Sequence, residues 1–449
     1  MLRPRRIRRA RAGWRRRGQR GKDGSYACSS GRKGRFFLTT RAGPFPGATE
    51  SQQTSGGARA RRRWLLDRKK SRRSGAVGVR ACETERAQER EGAHEDTRRT
   101  SRRVSELVDQ GLVARGEMEA LERVAERFSV AITPDLVDLV TPGDPNDPIA
   151  KQFLPSKREL RILPEERVDP IGDDPHTPVK GITHRYPDRL LLKPVHVCPA
   201  YCRFCFRREK VGPGSEVLSR EELAAAIDYV RAHEEVWEVI LSGGDPLILP
   251  PRKLAEITAA LAAIPHVRIL RVHTRVPVMD PGRIDAAMIA ALHVPDLTTY
   301  VVLHTNHPRE LGPKAREACT RIVDAGIPML SQTVLLRGVN ADAETLKALF
   351  RELVVLRVKP YYLHHGDLAV GTGHFRTSIA EGQSILRELR QNLSGIAQPT
   401  YVLDIPGGYG KVPIGPGYLG PEGEDGRRTV EDPWGRRHVY PPGSGKTGG

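Results

Sequence analysis

The stretch RLLLKPVHVCPAYCRFCFRR, residues 189–208, decides how this chain reads. Its first nine residues form a largely apolar run of strand length, which leads directly into Cys198, Cys202 and Cys205. The 449-residue chain has six cysteines, so half of them fall in eight residues. A disulfide framework does not suit them, because Cys28, Cys82 and Cys319 are scattered without pattern and a chain of this length needs no staples. Structural zinc takes four ligands, typically as two close pairs, and no second pair is present. Thiolates are soft ligands that suit iron–sulfur clusters. A Cys-x3-Cys-x2-Cys run can hold three irons of a [4Fe–4S] cube and leave the fourth open.

Outward from this stretch, charge divides the chain. Residues 1–103 hold 31 Lys+Arg against 9 Asp+Glu, whereas 104–449 hold 42 against 45, so the net charge of +19 belongs to one segment. That segment, opening MLRPRRIRRARAGWRRRGQRGK, shows no helical or strand period. It cannot bury enough apolar surface to offset the entropy of ordering, and disorder is expected. Three readings stand: a nucleic-acid-binding arm, an Arg-rich transit peptide, or upstream sequence from a mistaken start, with the folded protein beginning near Val104 or Met118. The last is favoured, because the remainder reads as a complete unit. No apolar run reaches the length of a signal-peptide core or a membrane span, so a cytoplasmic protein is expected.

Residues 104–180 carry helical periodicity in VSELVDQGLVARGEMEALERVAERFSV, then a Pro- and Asp-rich connector, and read as a helical cap and lead-in. From 181 to 396, strand and helix patterns alternate six times. The strands are RLLLKPVHV, WEVILS, VRILRVHTRV, TTYVVLHT, PMLSQTVLL and KPYYLHH, each followed by an amphipathic helix. Six units imply parallel strands with right-handed crossovers, too few for a closed eightfold barrel. A partial (β/α)6 barrel is predicted, followed by a C-terminal segment over 397–449.

Chemistry in such barrels gathers at the C-terminal ends of the strands. The cysteines follow the first strand, and SGGDPL, with Gly243, Gly244 and Asp245, follows the second. Two glycines permit close approach of backbone to a ligand. His304 ends the fourth strand, Gln332 sits at the matching place in the fifth, and His273, His364 and His365 are further rim candidates. A seventh strand, PTYVLD, leads into DIPGGYGK, where Asp404 precedes Lys411 by seven residues across a glycine-rich turn. Val412 follows Lys411, so the Walker phosphate-loop pattern is not met. A lysine holding pyridoxal phosphate as a Schiff base is the other reading.

In order, HRYPDRLLLKPVHVCPAYCRFCFRREKVG, SGGDPL, SQTVLLRGVN, GHFRTS and DIPGGYGK resemble the lysine 2,3-aminomutase family of radical S-adenosylmethionine enzymes, over roughly residues 104–420. The resemblance implies an isomerase that interconverts L-lysine and β-lysine with a [4Fe–4S] cluster, S-adenosylmethionine and pyridoxal 5′-phosphate. By this likeness Cys198, Cys202 and Cys205 ligate the cluster. Gly243, Gly244, Asp245, His304 and Gln332 lie at S-adenosylmethionine, and Lys411, Arg185, Tyr186 and Arg189 hold pyridoxal phosphate. Arg207 takes the substrate carboxylate, and Asp367 and Asp404 take the side-chain ammonium. The tail after 418 has no cysteine, which puts the family's structural zinc in question. Its absence draws the chain towards a branch that modifies a lysine for elongation factor P, while DIPGGYGK and Asp367 draw it towards free lysine. A relative acting on another amino acid is the second alternative. Expected partners are the amino acid, an electron donor such as flavodoxin or ferredoxin, and a further copy of the chain, with no nucleic acid or membrane for the folded part.

Overall fold

The computed structural model describes residues 99–212, 214 and 217–442. The basic segment, apart from its last few residues, lies outside the described residues. Described structure enters the fold before Val104: Ser101 is buried and exchanges two backbone hydrogen bonds with Ile132, each 3.0 Å. Helices Val104–Asp109 and Met118–Arg127 follow, burying Leu107, Leu121 and Val124. The lead-in ends in short turns of helix, including Pro148–Phe153, which Asp147 caps by accepting from the Ile149 and Ala150 amides.

Nine strands make one sheet in sequence order. They are β1 (Ile182–Tyr186), β2 (Arg189–Val195), β3 (Glu238–Gly243), β4 (Ile269–Thr274), β5 (Thr298–His304), β6 (Met329–Val334), β7 (Val358–His364), β8 (Thr400–Asp404) and β9 (Lys411–Pro413). Strands β2 to β8 pair in parallel, and antiparallel β1 and β9 flank them. All six predicted strand–helix units form, as a curled open barrel, and TYVLD adds the seventh parallel strand. Helices Arg220–Ala232, Pro251–Ala262, Ala286–Leu292, Pro313–Asp324, Ala343–Val355 and Ile379–Asn392 make the crossovers. Four of them start where side chains satisfy free amides: Ser219 with Glu222 and Ser378 with Glu381 form capping boxes, and Asp285 and Asp342 cap two more.

Alternation along the strands separates two surfaces. Val239, Leu241, Leu270, Val272, Val301 and Leu303 are buried in a common core with Leu254, Ile257, Leu261 and Ile322 of the helices. Cys319 is part of this core, fully buried in its helix. The other face carries Glu238, Arg271, His273, Tyr300, His304, Gln332, Tyr362 and His364 into a central cavity. Closed barrels of this kind fill their interior with branched apolar side chains, whereas this one leaves a polar-lined space. β1 and β9, at the two sheet edges, meet through side chain and backbone: the Lys411 amide donates to the Tyr186 hydroxyl at 2.8 Å. Beyond β9 a separate three-stranded antiparallel sheet occupies Leu419–Glu422, Arg428–Glu431 and Arg437–Tyr440, which the sequence reading left as tail. No helix among the described residues is long and apolar enough to cross a membrane.

Candidate active site

The loop after β2 is held on two sides. On the barrel side, the Gly244 and Asp245 amides donate to the Val195 and Val197 carbonyls at 2.7 and 3.0 Å. A Cβ at Gly244 would lie 2.3 Å from the Val197 oxygen, and one at Gly243, where φ is +107°, 2.5 Å from the Val195 oxygen. The two glycines are therefore required for backbone to meet backbone beneath the cysteines. Asp245 is buried and saturated: it accepts from the Leu247 and Arg275 amides and the Thr274 hydroxyl, tying the loops after β3 and β4 together. On the outer side the lead-in grips the loop, with Tyr201 N donating to Ala131 O and Arg203 N to Gln152 O.

The three arginines of CPAYCRFCFRR divide their work. Arg203 and Arg208 converge on the fully buried Glu159, Arg203 through a bidentate contact of 2.6–3.2 Å. Burial opposes ionisation of Glu159, yet these two guanidiniums win and hold its carboxyl below the usual range. Arg207 turns into the cavity, stacks on Phe206 and pairs with Asp173 at 2.8 Å. Arg185 from β1 reaches the other oxygen of the same carboxylate, also at 2.8 Å.

Cys198, Cys202 and Cys205 are unbridged and line one end of a cavity of about 730 Å³. Burial raises all three thiols, Cys198 well above the ordinary value and Cys205 to about 11, and neighbouring thiols and Asp245 add to the rise. Cys202 alone receives a cationic donor, Arg275 Nη1 at 2.9 Å. No three His, Cys, Asp or Glu side chains among the described residues converge on one ion. Three thiols that share a cavity without sharing a point fit a polynuclear cluster, in which each thiolate takes its own iron.

His304 and Gln332 are cross-strand neighbours on β5 and β6 and line the same cavity. Burial and nearby cations hold His273 and His304 well below the usual imidazole range, so both are neutral. Nε2 of His273, His304 and His364 is buried with no hydrogen-bond partner among the described residues. Buried polar atoms are normally satisfied, and three orphans around one cavity mark places for a ligand's polar atoms.

The far end belongs to β1, β7, β8 and β9. Asp404 and Lys411 are direct cross-strand partners and form an ion pair. His364 Nδ1 lies 3.3 Å from the Lys411 ammonium and 3.7 Å from Asp404. Burial would raise the Asp404 carboxyl, but His364 and Lys411 outweigh it and hold it far below its ordinary value. The glycines of DIPGGYGK fit their turn: Gly407, Gly408 and Gly410 all have φ between +86° and +95°. A Cβ at Gly408 would meet His176 at 2.5 Å. Arg189 lies over the Tyr186 ring, 3.8 Å from its centroid. Asp367, after β7, makes no hydrogen bond or ion pair with the described residues; burial, then the charge of Asp404, pushes its carboxyl up to about 7.

Of the site residues expected from the sequence, all but His365 line this one cavity; the His365 ring instead lies with Nδ1 2.8 Å from the Tyr401 hydroxyl. The structure adds partners that the sequence reading missed. Asp173 lay in a connector read only as turns, and Arg275 and Tyr362 are inward-facing residues with no motif around them. Period-two polar residues in RILRVHT and VKPYYLH were the available signal.

Comparison with known proteins agrees with this geometry. Residues 192–349 match the Radical SAM superfamily. The chain is 41% identical over 319 residues to L-lysine 2,3-aminomutase of Clostridium subterminale, covering 70% of this chain and 76% of that protein. It is 38% identical to glutamate 2,3-aminomutase of Clostridioides difficile, covering 69% and 73%. Against L-lysine 2,3-aminomutase of Escherichia coli, identity is 36%, covering 64% and 83%.

Proposed function

The chain belongs to the lysine 2,3-aminomutase family of radical S-adenosylmethionine enzymes, and from that premise we propose that its cavity moves the α-amino group of L-lysine to C3, giving β-lysine. The supporting observation is the distribution of charge. Arg207 and two carboxylates, Asp367 and Asp404, line the same cavity. Lysine offers a carboxylate for the first and a distal ammonium for the second. Glutamate, the substrate in the name of one relative, would bring a second carboxylate against Asp367 and Asp404, and like charges in a desolvated site repel strongly.

The residues fit the family's cofactors. Cys198, Cys202 and Cys205 would hold the cluster, and the orphan imidazole nitrogens of His273 and His304, with Gln332, lie where S-adenosylmethionine would bind beside it. Lys411 would carry pyridoxal phosphate, flanked by Arg185, Tyr186 and Arg189. When bound, these groups supply an electron, a reactive carbon radical and a conjugated ring able to spread an unpaired electron. The chain's own part is positioning and exclusion. Arg207 fixes the carboxylate in a planar, bidentate grip. Asp367 fixes the ammonium, and the two together set which carbon faces the radical source. Asp404 is engaged with Lys411 in this structure, and covalent use of the Lys411 nitrogen by the cofactor would free it for the substrate. The walled cavity keeps water and oxygen from reactive species. A reductase of the flavodoxin or ferredoxin kind would feed the cluster.

Anaerobic reconstitution with iron, sulfide, pyridoxal phosphate and S-adenosylmethionine, followed by product analysis on L-lysine and on L-glutamate, tests the proposal. β-Lysine from lysine and no product from glutamate is expected. Turnover of glutamate alone would reverse the substrate assignment.

A further inference from the structure

The geometry points to Arg275 as a positioning residue for the cluster: its guanidinium clamps the Cys202 sulfur and raises the reduction potential of the centre that Cys202 helps to hold. This rests on the cysteines being the cluster's ligands, and it concerns a residue that no sequence motif singled out.

Arg275 follows β4 and is 4% exposed. One arm, Nη1, donates to Cys202 Sγ at 2.9 Å. The other, Nη2, donates to Glu310 at 2.6 Å and to the Gln152 side-chain oxygen at 3.1 Å. Its backbone amide is held by Asp245, the acid of SGGDPL, at 2.7 Å. The guanidinium plane lies beside Phe153 and Phe204, with centroid distances of 4.8 and 5.4 Å. Every polar partner is itself fixed: Glu310 also accepts from Gln152 and the Asn306 and His307 amides. A buried arginine with both arms and its amide anchored cannot swing away, so its direction towards one sulfur is built into the fold.

Charge gives the consequence. Reducing the cluster adds one negative charge, and a fixed cation that donates to a ligand sulfur stabilises the reduced form. Among the described residues Cys198 and Cys205 receive the backbone amides of Asp245 and Arg207 and no guanidinium donor, so the three ligands are inequivalent and Cys202 is the one bonded to a cation. The same arginine also joins the loop after β2 to the lead-in through Gln152 and to the loop after β5 through Glu310.

The test compares the reconstituted full chain with Arg275→Met and Arg275→Lys. Iron and sulfide content is measured first, then the midpoint potential by dye-mediated titration followed by electron paramagnetic resonance. Arg275→Met should load iron yet be about tenfold harder to reduce, which is 59 mV for one electron. Arg275→Lys, which keeps the charge without the fork, should recover part of that loss. In addition, wild type grown on ¹⁵N-arginine should show a ¹⁵N hyperfine coupling to the reduced cluster that Arg275→Lys lacks. An unchanged potential in Arg275→Met overturns the inference. If that variant fails to fold, the labelled comparison decides: the Arg207 amide also bonds Cys205, so the coupling that counts is the one wild type has and Arg275→Lys lacks, and identical couplings in the two overturn the inference.

Discussion

Asp367→Asn is the perturbation that bears most directly on substrate choice. Asp367 is a carboxylate with no hydrogen bond or ion pair among the described residues, and burial with the adjacent Asp404 charge pushes its carboxyl up to about 7. An arriving lysine ammonium favours the ionised carboxylate, so the free enzyme must lose this proton before productive binding. Since kcat/KM reports groups of the free enzyme, its value for lysine should fall as pH drops below about 7. Asparagine keeps the size and removes the charge. It should abolish that acid limb and lower the high-pH plateau about 10- to 150-fold, the equivalent of roughly 1.5–3 kcal/mol for a hydrogen bond to a charged group. Stability should move the other way. With a native value raised above the roughly 3.9 of an unfolded chain, Asp367 binds more proton folded than unfolded between about pH 4 and 7, so it costs stability increasingly as pH rises through that window. Ligand-free Asp367→Asn should therefore melt above wild type at pH 8, and the difference should close below pH 4. Steady-state kinetics on the loaded enzyme and differential scanning calorimetry on the ligand-free protein supply the two readings. Unaltered lysine kcat/KM with its acid limb intact would refute the ammonium-binding role, and a Tm at pH 8 no higher than wild type would refute the unpartnered carboxylate.

Four other outcomes are expected. Replacing any one of Cys198, Cys202 and Cys205 by alanine should remove the charge-transfer absorbance near about 400 nm after reconstitution, whereas Cys319→Ala, a core substitution, should lower Tm and leave the absorbance. Lys411→Ala should lose the borohydride-reducible link to pyridoxal phosphate while retaining iron. Gly244→Ala forces a Cβ to 2.3 Å from the Val197 carbonyl, so it should displace the cysteine loop at a cost of about 1–3 kcal/mol and reduce iron loading, as iron analysis would show. A chain begun at residue 100 should fold and bind the cluster and pyridoxal phosphate, whereas one begun at Val104 loses the Ser101–Ile132 pairing and should melt at a lower temperature.

The barrel was legible because two independent signals coincide in each unit: a short apolar run for the strand and an amphipathic run for the helix, with four of the six helices also opened by a capping side chain. Ser219 with Glu222 and Ser378 with Glu381 are such signals, and both form capping boxes. β1, β9 and the C-terminal sheet were not read because each strand is three to five residues long and partly exposed, which gives no periodicity to detect. The glycines of SGGDPL and DIPGGYGK were noticed for a ligand's sake, yet much of their necessity is internal. Positive φ and the nearness of Val197 and His176 would exclude a side chain there whatever binds.

What no motif could reveal is how the site's charges are divided. Asp173 comes from the lead-in, 34 residues before Arg207 and 12 before Arg185, and pairs with both. Two guanidiniums sharing one carboxylate leave an excess of positive charge there, and Arg185, also 3.9 Å from Asp404, links this place to the next. At the other, Lys411 and Asp404 neutralise each other and Asp367 remains, an uncompensated negative charge once ionised. The ligand-free cavity is thus an electrical mould with one cationic and one anionic vacancy. A molecule with a carboxylate at one end and an ammonium at the other fills both, while a dicarboxylate fills the first and is repelled at the second. Because the two vacancies arise from pairing among three distant segments, they exist only after folding. On the proposed lysine assignment, substrate discrimination would rest on these tertiary ion pairs. Exchanging Asp173 for asparagine should weaken discrimination between lysine and glutamate: it removes the carboxylate that Arg185 and Arg207 share, adds free positive charge to the cavity and favours the dicarboxylate competitor.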